Sequence, residues 1–447
     1  MNLFSDAEIR EPFNQDYFDR KQDADDIKLI IDACSDGAVL SINSIWGNGK
    51  TWFLKNFQKY IENDYTVLYY NIWENELADD PFGSFLSFIY TQADNDNGKK
   101  LKEKENRKKL LSAGKLLLKY TIPVVSRLLL GKALYMDKLG DIGDKISDAV
   151  DGISGELIDK INAKDVEVKS FKESLRSLAD ELTGKTKKPL IIIIDELDRC
   201  TPSYAIRFLE IMKHFFEVDG IVFVLAIDKN SLCEFIKKEY GTGIDPDGYL
   251  RKIINIQYSL KIADFSNVKR LFLQRNKILE LNTRISDSYT GDFFGKYAKF
   301  FANFYNLSVR DILRITDSMN LFMKIIGRDL DQQISDFTPY FLFIFVLKIK
   351  RPFQFAEIVN NRSETALQQV ISELHINRKD QIDFPIYNVI YCLILLVYKS
   401  VSEIPNNYNL NIDSDQLKNY ERHCQSTMNI DYINRINHFI QSLVLDI

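Results

Sequence analysis

Residues 41–51 read SINSIWGNGKT, and this stretch decides the fold. An apolar run at 38–42 comes directly before its polar part, and a helical pattern at 51–62 follows it. Gly47 and Gly49 allow backbone N–H groups to curl around phosphates, and a helix that starts directly after them adds the positive end of its dipole. The stretch therefore predicts a phosphate-binding loop between a strand and a helix.

The loop supplies the groups that a nucleoside triphosphate, most simply ATP, and a Mg²⁺ ion require. We expect Lys50 to contact the β- and γ-phosphates and the Thr51 hydroxyl to ligate Mg²⁺. Ser44 stands where this loop pattern usually begins with glycine, a departure that leaves the lysine and the hydroxyl in place. A chance Gly-Lys-Thr at a helix start is the alternative. The candidate nucleotide-binding residues are Trp46, Gly47, Asn48, Gly49, Lys50, Thr51, Trp52 and Asp228.

A second aliphatic stretch, residues 191–199, reads IIIIDELDR and ends in carboxylates. The last side chain of a buried parallel strand lies at the carboxyl edge of its sheet, where ligands of α/β proteins bind. We expect Asp195 to hold Mg²⁺ and Glu196 to activate the attacking water. Asp198 has two interpretations, a share in that catalysis or a local ion pair with Arg199. Together with the loop, this strand end predicts hydrolysis of the nucleotide.

Charged residues at two further points in the sequence also fit nucleotide binding and hydrolysis. Asp228 follows the apolar run 221–227 and either senses the γ-phosphate or caps the next helix. Arg251 and Lys252 precede the last predicted strand, 253–260. There they either reach the nucleotide of a neighbouring subunit as finger cations or complement a helix dipole. Both pairs of interpretations stay open at the level of sequence.

Alternating strands and helices predict an α/β fold, a P-loop NTPase core with a five-stranded, mainly parallel sheet. The remaining strands are expected at 65–72 and 190–194. A helical insertion and a C-terminal all-α domain complete the architecture. The predicted divisions are a core of 1–92 and 171–262, an insertion of 93–170, a helical lid or sensor region of 263–330, and a C-terminal helical domain of 331–447.

Composition narrows the classes of function. The 447 residues are enough for two or three domains, and a net charge of −5 provides no overall attraction to nucleic acid or anionic lipid. Five scattered cysteines lack disulfide or zinc spacing, which predicts a cytoplasmic protein. The apolar runs 337–347 and 384–398 fall short of the roughly 20 residues that a membrane helix needs. The insertion has a basic stretch at 99–109, and its segment 116–135 has apolar stretches too short to span a membrane. This segment is either a basic amphipathic element that contacts membrane, nucleic acid or a partner protein, or part of a helical hairpin with a solvated face.

These motifs resemble those of the KAP family of P-loop NTPases, a bacterial group related to STAND and AAA+-like ASCE ATPases. The resembling segments are SIWGNGKT at 44–51, NIWE at 71–74, DELDRC at 195–200, YLRKII at 249–254 and SVRDI at 308–312. Glu196 stands where the family more often has aspartate, and Val309 replaces a proline. By this resemblance Arg310 would act as a second sensor of the γ-phosphate, and residues 16–24 would flank the base.

The resemblance implies an ATPase that acts as a nucleotide-dependent switch or assembly, with a role in bacterial defence against phage. Its expected partners are further copies of the chain or an operon-encoded protein. The alternatives are a scaffold clamped by nucleotide that it does not hydrolyse, and a nucleic-acid motor. The candidate catalytic residues are Lys50, Glu196, Asp198, Arg251, Lys252 and Arg310, and the candidate Mg²⁺ ligands are Thr51 and Asp195.

Overall fold

The computed structural model describes two compact units, 1–262 and 263–447, each with gaps. Most of the basic stretch and the tail beyond 398 lie outside the described residues, as does the segment 116–135 of the insertion. The described ranges are 9–34, 36–78, 80–95, 109–110, 112–114, 155–184, 188–261, 263–278, 289–326, 334–376 and 384–398.

A five-stranded sheet organises the first unit in the order β2–β3–β4–β1–β5. Its strands are β1 (Ala38–Asn43), β2 (Val67–Asn71), β3 (Leu190–Asp195), β4 (Ile221–Ile227) and β5 (Ile256–Ser259). Each pairing is parallel, which confirms the predicted fold class. Because the strands run the same way, their last residues meet at one side of the sheet, here called the carboxyl edge.

Continuous aliphatic runs make β3 and β4 central strands, since both are buried along their whole length. Successive side chains point to opposite faces of the sheet. Ile192 and Ile194 therefore join one hydrophobic core, while Ile191 and Ile193 join the core on the other face. The two cores are the physical reason that this strand tolerates no polar residue before Asp195.

Helices cover both faces of the sheet, with α1 and α2 on one face and α3 to α7 contributing to the core on the other. The helices are α1 (Lys21–Asp32), α2 (Lys50–Ile61), α3 (Pro81–Asn95), α4 (Gly155–Leu182), α5 (Pro202–Met212), α6 (Lys229–Tyr240) and α7 (Pro246–Arg251). Short 3₁₀ turns occupy Trp73–Ala78 and Leu197–Arg199.

Two details differ from the sequence-based expectation. The boundary expected at 170 falls inside α4, because Phe171, Leu175 and Leu178 continue a buried helical stripe through it. The last strand is shorter than the predicted 253–260, because Ile253 and Ile254 donate hydrogen bonds back to Leu250 and so belong to the turn after α7.

Helices alone form the described part of the second unit. They are α8 (Val268–Ile278), α9 (Tyr289–Phe304), α10 (Val309–Ile326), α11 (Ile334–Lys350), α12 (Pro352–Asn361), α13 (Glu364–Ile376) and α14 (Phe384–Val397), preceded by a 3₁₀ turn at Phe265–Asn267. Phe272 and Phe294 stack at 4.3 Å between α8 and α9, and Phe301 and Phe343 lie 5.2 Å apart between α9 and α11. Within the described ranges, no helix is both long and apolar enough to cross a membrane.

Candidate nucleotide site

The loop between β1 and α2 lies at the carboxyl edge of the sheet. Ser44 N donates to the carbonyl of Ile227 at 3.1 Å, which fastens the start of the loop to the end of β4. Gly47 and Gly49 have φ angles of 88° and 79°, a region that glycine enters without a steric penalty. A Cβ atom placed on Gly49 would have no atom of the described residues within 4 Å, apart from those of its immediate neighbours in the chain. The loop is therefore open to a ligand on this side.

Lys50 is 8% exposed at the start of α2, and its ammonium has two oxygen partners. Its Nζ donates to the Ser44 carbonyl at 2.7 Å and pairs with Asp198 Oδ2 at 3.1 Å. The Asp198 side chain is itself only 5% exposed. The structure thus joins Asp198 to the loop lysine, whereas Arg199 pairs with Glu196. A share of Asp198 in catalysis stays a prediction.

Asp195 ends β3 and is almost completely buried. Its Oδ2 accepts a hydrogen bond from the Tyr69 hydroxyl at 2.5 Å, and its Oδ1 accepts one from Glu196 N at 2.8 Å. Burial raises the pKa of the Asp195 carboxyl, while hydrogen bonds from the Tyr69 and Thr51 hydroxyls oppose that rise. The Thr51 hydroxyl and this carboxylate are therefore close neighbours.

Glu196 has a φ of 66°, the left-handed region, which costs a non-glycine residue roughly 1 kcal/mol. Such backbone strain is concentrated at functional sites. Its Oε1 accepts from Arg199 Nη1 at 2.6 Å and from Thr51 Oγ1 at 3.5 Å, and its Oε2 accepts from Asn71 Nδ2 at 3.1 Å. Burial raises the pKa of Glu196, and the Arg199 charge opposes that rise. Both carboxylate oxygens are thus held in place.

The match to known families agrees with this geometry. The KAP family P-loop domain matches residues 20–326, more than half of the chain. The chain belongs to the KAP family. No curated protein sequence matches it at a significant level.

Two solved structures are similar to this KAP protein over most of its length. One is the Aeropyrum pernix ORC2 protein in ADPNP–ADP complexes, 14% identical with a TM-score of 0.37, over 97% of this chain and 98% of that chain. The other is the Aeropyrum pernix ORC1 protein in complex with DNA, 11% identical with a TM-score of 0.35, over 93% of this chain and 87% of that chain. These values are too low for a shared function to follow.

Two polar residues of β2 in the KAP protein were missed as site residues. Tyr69 and Asn71 contact Asp195 and Glu196 because β2 pairs with β3, with Asn71 in register with Asp195. Polar residues at the end of a predicted strand were the available signal. It was not sufficient, because only the strand order shows that β2 neighbours β3.

Asp228 combines two structural tasks. Its Oδ1 accepts from Asn230 N at 3.1 Å and Ser231 N at 3.4 Å, which caps α6. Its Oδ2 accepts from Trp46 N at 3.0 Å, which fixes the phosphate loop. The helix-cap interpretation is therefore correct, and contact of this carboxylate with a γ-phosphate stays a prediction.

The two tryptophans of the loop region differ in exposure. Trp46 is 63% exposed, whereas Trp52 is half-buried and packs edge-on against Phe13 with ring centroids 5.9 Å apart. Trp52 therefore supports the core around α2, and its expected contact with nucleotide stays a prediction. Asn48 N donates to the Ile45 carbonyl at 3.3 Å, which closes the turn before Gly49.

Arg251 and Lys252 lie at the end of α7, before β5. Arg251 ends α7 and pairs with Asp245 at 3.4 Å, and both cations are exposed. They precede β5, whose neighbouring residue Asn255 donates from its N–H to the Val39 carbonyl near the start of β1. Asn255 therefore lies near the amino edge of the parallel sheet, whereas Asp247 of α7 pairs at 2.6 Å with Lys229, which follows β4 at the carboxyl edge. The third candidate cation, Arg310, lies in the first turn of α10 in the second unit, and its sensor role stays a prediction.

Oxygen donors at the carboxyl edge fit a Mg²⁺ ion. Mg²⁺ prefers oxygen ligands and is commonly held by one or two carboxylates together with phosphates and water. The Thr51 hydroxyl donates to Glu196 Oε1 at 3.5 Å, and Asp195 directly precedes Glu196 at the end of β3, which brings a hydroxyl and carboxylates together. Among the described residues, no group of three or more His, Cys, Asp or Glu side chains could hold a metal ion.

Proposed function

We propose that this KAP protein binds ATP with Mg²⁺, hydrolyses it, and acts as a nucleotide-dependent switch. One observation carries the proposal: two residues of the phosphate loop directly contact the acidic end of β3. Lys50 Nζ lies 3.1 Å from Asp198 Oδ2, and Thr51 Oγ1 lies 3.5 Å from Glu196 Oε1. A cation, a hydroxyl and buried carboxylates in this arrangement are the groups that phosphoryl transfer to water requires.

In the proposed mechanism, Lys50 and the loop N–H groups bind the phosphates and neutralise part of their charge. Thr51 and Asp195 would hold Mg²⁺, which when bound supplies further neutralisation of the charge that develops on the phosphates. Glu196 accepts a proton from the attacking water on a carboxylate oxygen. Asn71 orients that carboxylate through its hydrogen bond to Oε2.

The Glu196–Arg199 pair favours a second candidate, a scaffold clamped by nucleotide with little or no hydrolysis. Arg199 Nη1 lies 2.6 Å from Glu196 Oε1, and its guanidinium stacks 5.6 Å from the exposed ring of Trp73. A base held by a guanidinium is less available to water. Slow turnover that depends on release of Arg199 is therefore part of the proposal.

The biological setting is proposed from family resemblance alone. In that setting the switch is bacterial and cytoplasmic, takes part in defence against phage, and assembles with copies of itself or with an operon-encoded protein. A nucleic-acid motor is less well supported, because the chain carries a net charge of −5. Strong, salt-sensitive binding to DNA or RNA would favour the motor instead.

Turnover and nucleotide binding in Lys50→Ala and Glu196→Gln test the proposed site. We expect Lys50→Ala to weaken nucleotide binding because it removes the cation, by about tenfold or more. Glu196→Gln should retain binding and lose about 10²–10⁴-fold in kcat because an amide cannot accept the proton. Phosphate release and isothermal titration measure the two quantities.

Two matched controls separate the site from its surroundings. Lys59→Ala removes a cation elsewhere on α2, and Glu74→Gln alters the other carboxylate that Asn71 contacts, at 2.8 Å. Both variants should bind nucleotide and hydrolyse it as the unmodified protein does. Equal turnover in Glu196→Gln and the unmodified protein would contradict the catalytic role. Tight binding without any turnover in the unmodified protein would favour the clamp.

A further inference from the structure

Arg20 precedes α1 and is a buried cation outside the phosphate loop. It is 2% exposed, and its Nη1 pairs with Asp23 Oδ2 at 3.3 Å. Asp23 is fully buried and also accepts a hydrogen bond from the Tyr258 hydroxyl at 2.8 Å. Because a buried charge needs a fixed counter-charge, this pair determines where the Arg20 guanidinium lies.

From that position the guanidinium donates to two backbone carbonyls that are distant in sequence. Arg20 Nη2 lies 3.4 Å from the carbonyl oxygen of Asn48 in the phosphate loop. Arg20 Nη1 lies 2.5 Å from the carbonyl of Lys261, which follows the end of β5. A planar guanidinium with several fixed donors can hold a carboxylate and two carbonyls at once, which a lysine ammonium does less well.

The contact with Asn48 has a direct consequence for Gly49. In a trans peptide the C=O of one residue and the N–H of the next point in opposite directions. A carbonyl of Asn48 directed toward Arg20 therefore directs the Gly49 N–H away from Arg20. Open space lies where a Cβ on Gly49 would point, so a ligand can approach this residue. Successive backbone N–H groups in such a turn are typical anion-binding groups.

We propose that Arg20 is a positioning residue for phosphate binding, which holds the Asn48–Gly49 peptide so that the Gly49 N–H faces the phosphates. The inference rests on the proposed nucleotide site and adds a residue to it. The expectation that residues 16–24 flank the base stays a prediction beside this role of Arg20.

Affinity for inorganic tripolyphosphate, compared with affinity for ATP, tests the proposal in the full-length protein. Tripolyphosphate carries the phosphates without the base. We expect Arg20→Lys and Arg20→Gln to bind both ligands about tenfold more weakly, because the loop amide is no longer held. The ratio of the two affinities should stay unchanged. Arg275→Lys is the matched control, since Arg275 is also buried and pairs with Asp317 at 3.0 Å in the second unit.

Thermal unfolding shows that each variant is folded before binding is measured. Should neither Arg20 variant fold, Tyr258→Phe retains the arginine, removes a hydrogen bond to Asp23, and should weaken tripolyphosphate binding about twofold to threefold. A loss confined to ATP would mean that Arg20 acts on the base and would overturn the inference. Unchanged tripolyphosphate affinity in the folded variants would overturn it too. Failure of the unmodified protein to bind either ligand would instead count against the proposed function.

Discussion

Asp198 shows how a single residue can control the site. Its carboxylate neutralises the Lys50 ammonium at 3.1 Å, and both side chains are less than 10% exposed, at 9% for Lys50 and 5% for Asp198. A buried ammonium without a counter-charge would be costly, so this pair stabilises the loop in the absence of an anion. The same carboxylate repels the phosphates that Lys50 would bind. We therefore predict that Asp198 sets a threshold for nucleotide binding.

Replacing this carboxylate with an amide separates the two effects. Asp198→Asn should lower the free energy of unfolding by about 1–3 kcal/mol, because the buried Lys50 ammonium loses its counter-charge. It should also tighten binding of ADP without Mg²⁺ by about threefold to tenfold, since a like charge near the phosphates is removed. Urea unfolding and ADP titration in a chelating buffer measure these changes.

The control for this prediction is Asp247→Asn, which removes an exposed carboxylate that pairs with Lys229 at 2.6 Å. Asp247→Asn should change neither the free energy of unfolding nor the affinity for ADP appreciably, because exposed ion pairs contribute little to stability. Weaker ADP binding in Asp198→Asn would show that Asp198 assists binding, and the threshold role would be wrong.

At the level of elements, the start of α10 is stabilised by a reciprocal cap. Ser308 N donates to Asp311 Oδ2 at 2.9 Å, and Asp311 N donates to Ser308 Oγ at 3.2 Å. Lys350, the last residue of α11, pairs with the same carboxylate at 2.8 Å. This turn carries Arg310, so the cap determines how that cation is presented. The segment 308–312 resembles a family motif, and two of its residues, Ser308 and Asp311, form this helix cap.

The cap gives the second unit a defined dependence on pH. Burial alone would raise the pKa of Asp311, but hydrogen bonds from Lys350 and Ser308 outweigh it, and the pKa is lowered. A lowered folded pKa means that the unfolded chain takes up the proton first as pH falls. The stabilisation is therefore present above the ordinary aspartate pKa of ~3.9 and is lost as pH falls through the lower folded value.

Asp311→Asn should accordingly be less stable than the unmodified protein near neutral pH, by about 1 kcal/mol. The difference should shrink as pH falls below ~4. Urea unfolding, followed by helical circular dichroism across this range, measures it. Glu357→Gln, a change on α12 next to Asn361, is the control and should show no such pH dependence. A difference that stays constant with pH would contradict the assigned role of the carboxylate.

At the level of the whole molecule, the sheet direction determines which nucleotide the finger candidates can reach. Arg251 and Lys252 precede β5 at the amino edge, whereas the phosphate loop follows β1 at the carboxyl edge. We predict from this chain direction that the two cations act in catalysis on the nucleotide of a second copy of the chain. Hydrolysis that needs these cations would therefore need assembly.

Mixing two inactive variants tests this requirement. A chain with Glu196→Gln keeps the cations, and a chain with Arg251→Ala and Lys252→Ala keeps the base. Each alone should turn over ATP poorly, and the mixture should regain activity because copies complement one another. Mass measurement with and without a slowly hydrolysed ATP analogue should show assembly in the same samples.

Arg176→Ala, which removes an exposed arginine paired with Asp219 at 2.8 Å, is the control for loss of surface charge. It should remain active by itself. Full turnover by the Arg251 and Lys252 double variant would show that neither cation is a finger. The same conclusion would follow if the mixture stayed inactive although the chains assemble.

The sequence by itself determined the phosphate loop, the acidic end of β3 and the parallel α/β sheet. Each of these features is encoded in contiguous residues, since buried strands need aliphatic runs and a phosphate loop needs glycines before a helix. Strand ends were less certain, as Ile253 and Ile254 show, because an aliphatic pair can equally close a helix turn.

Tertiary structure alone decided which side chains meet in the site. Lys50 and Asp198 are 148 positions apart in sequence, Asn71 and Glu196 are 125 apart, and Arg20 reaches across the fold to the loop carbonyl. These contacts depend on strand order and helix packing, which bring distant residues together and leave no local pattern.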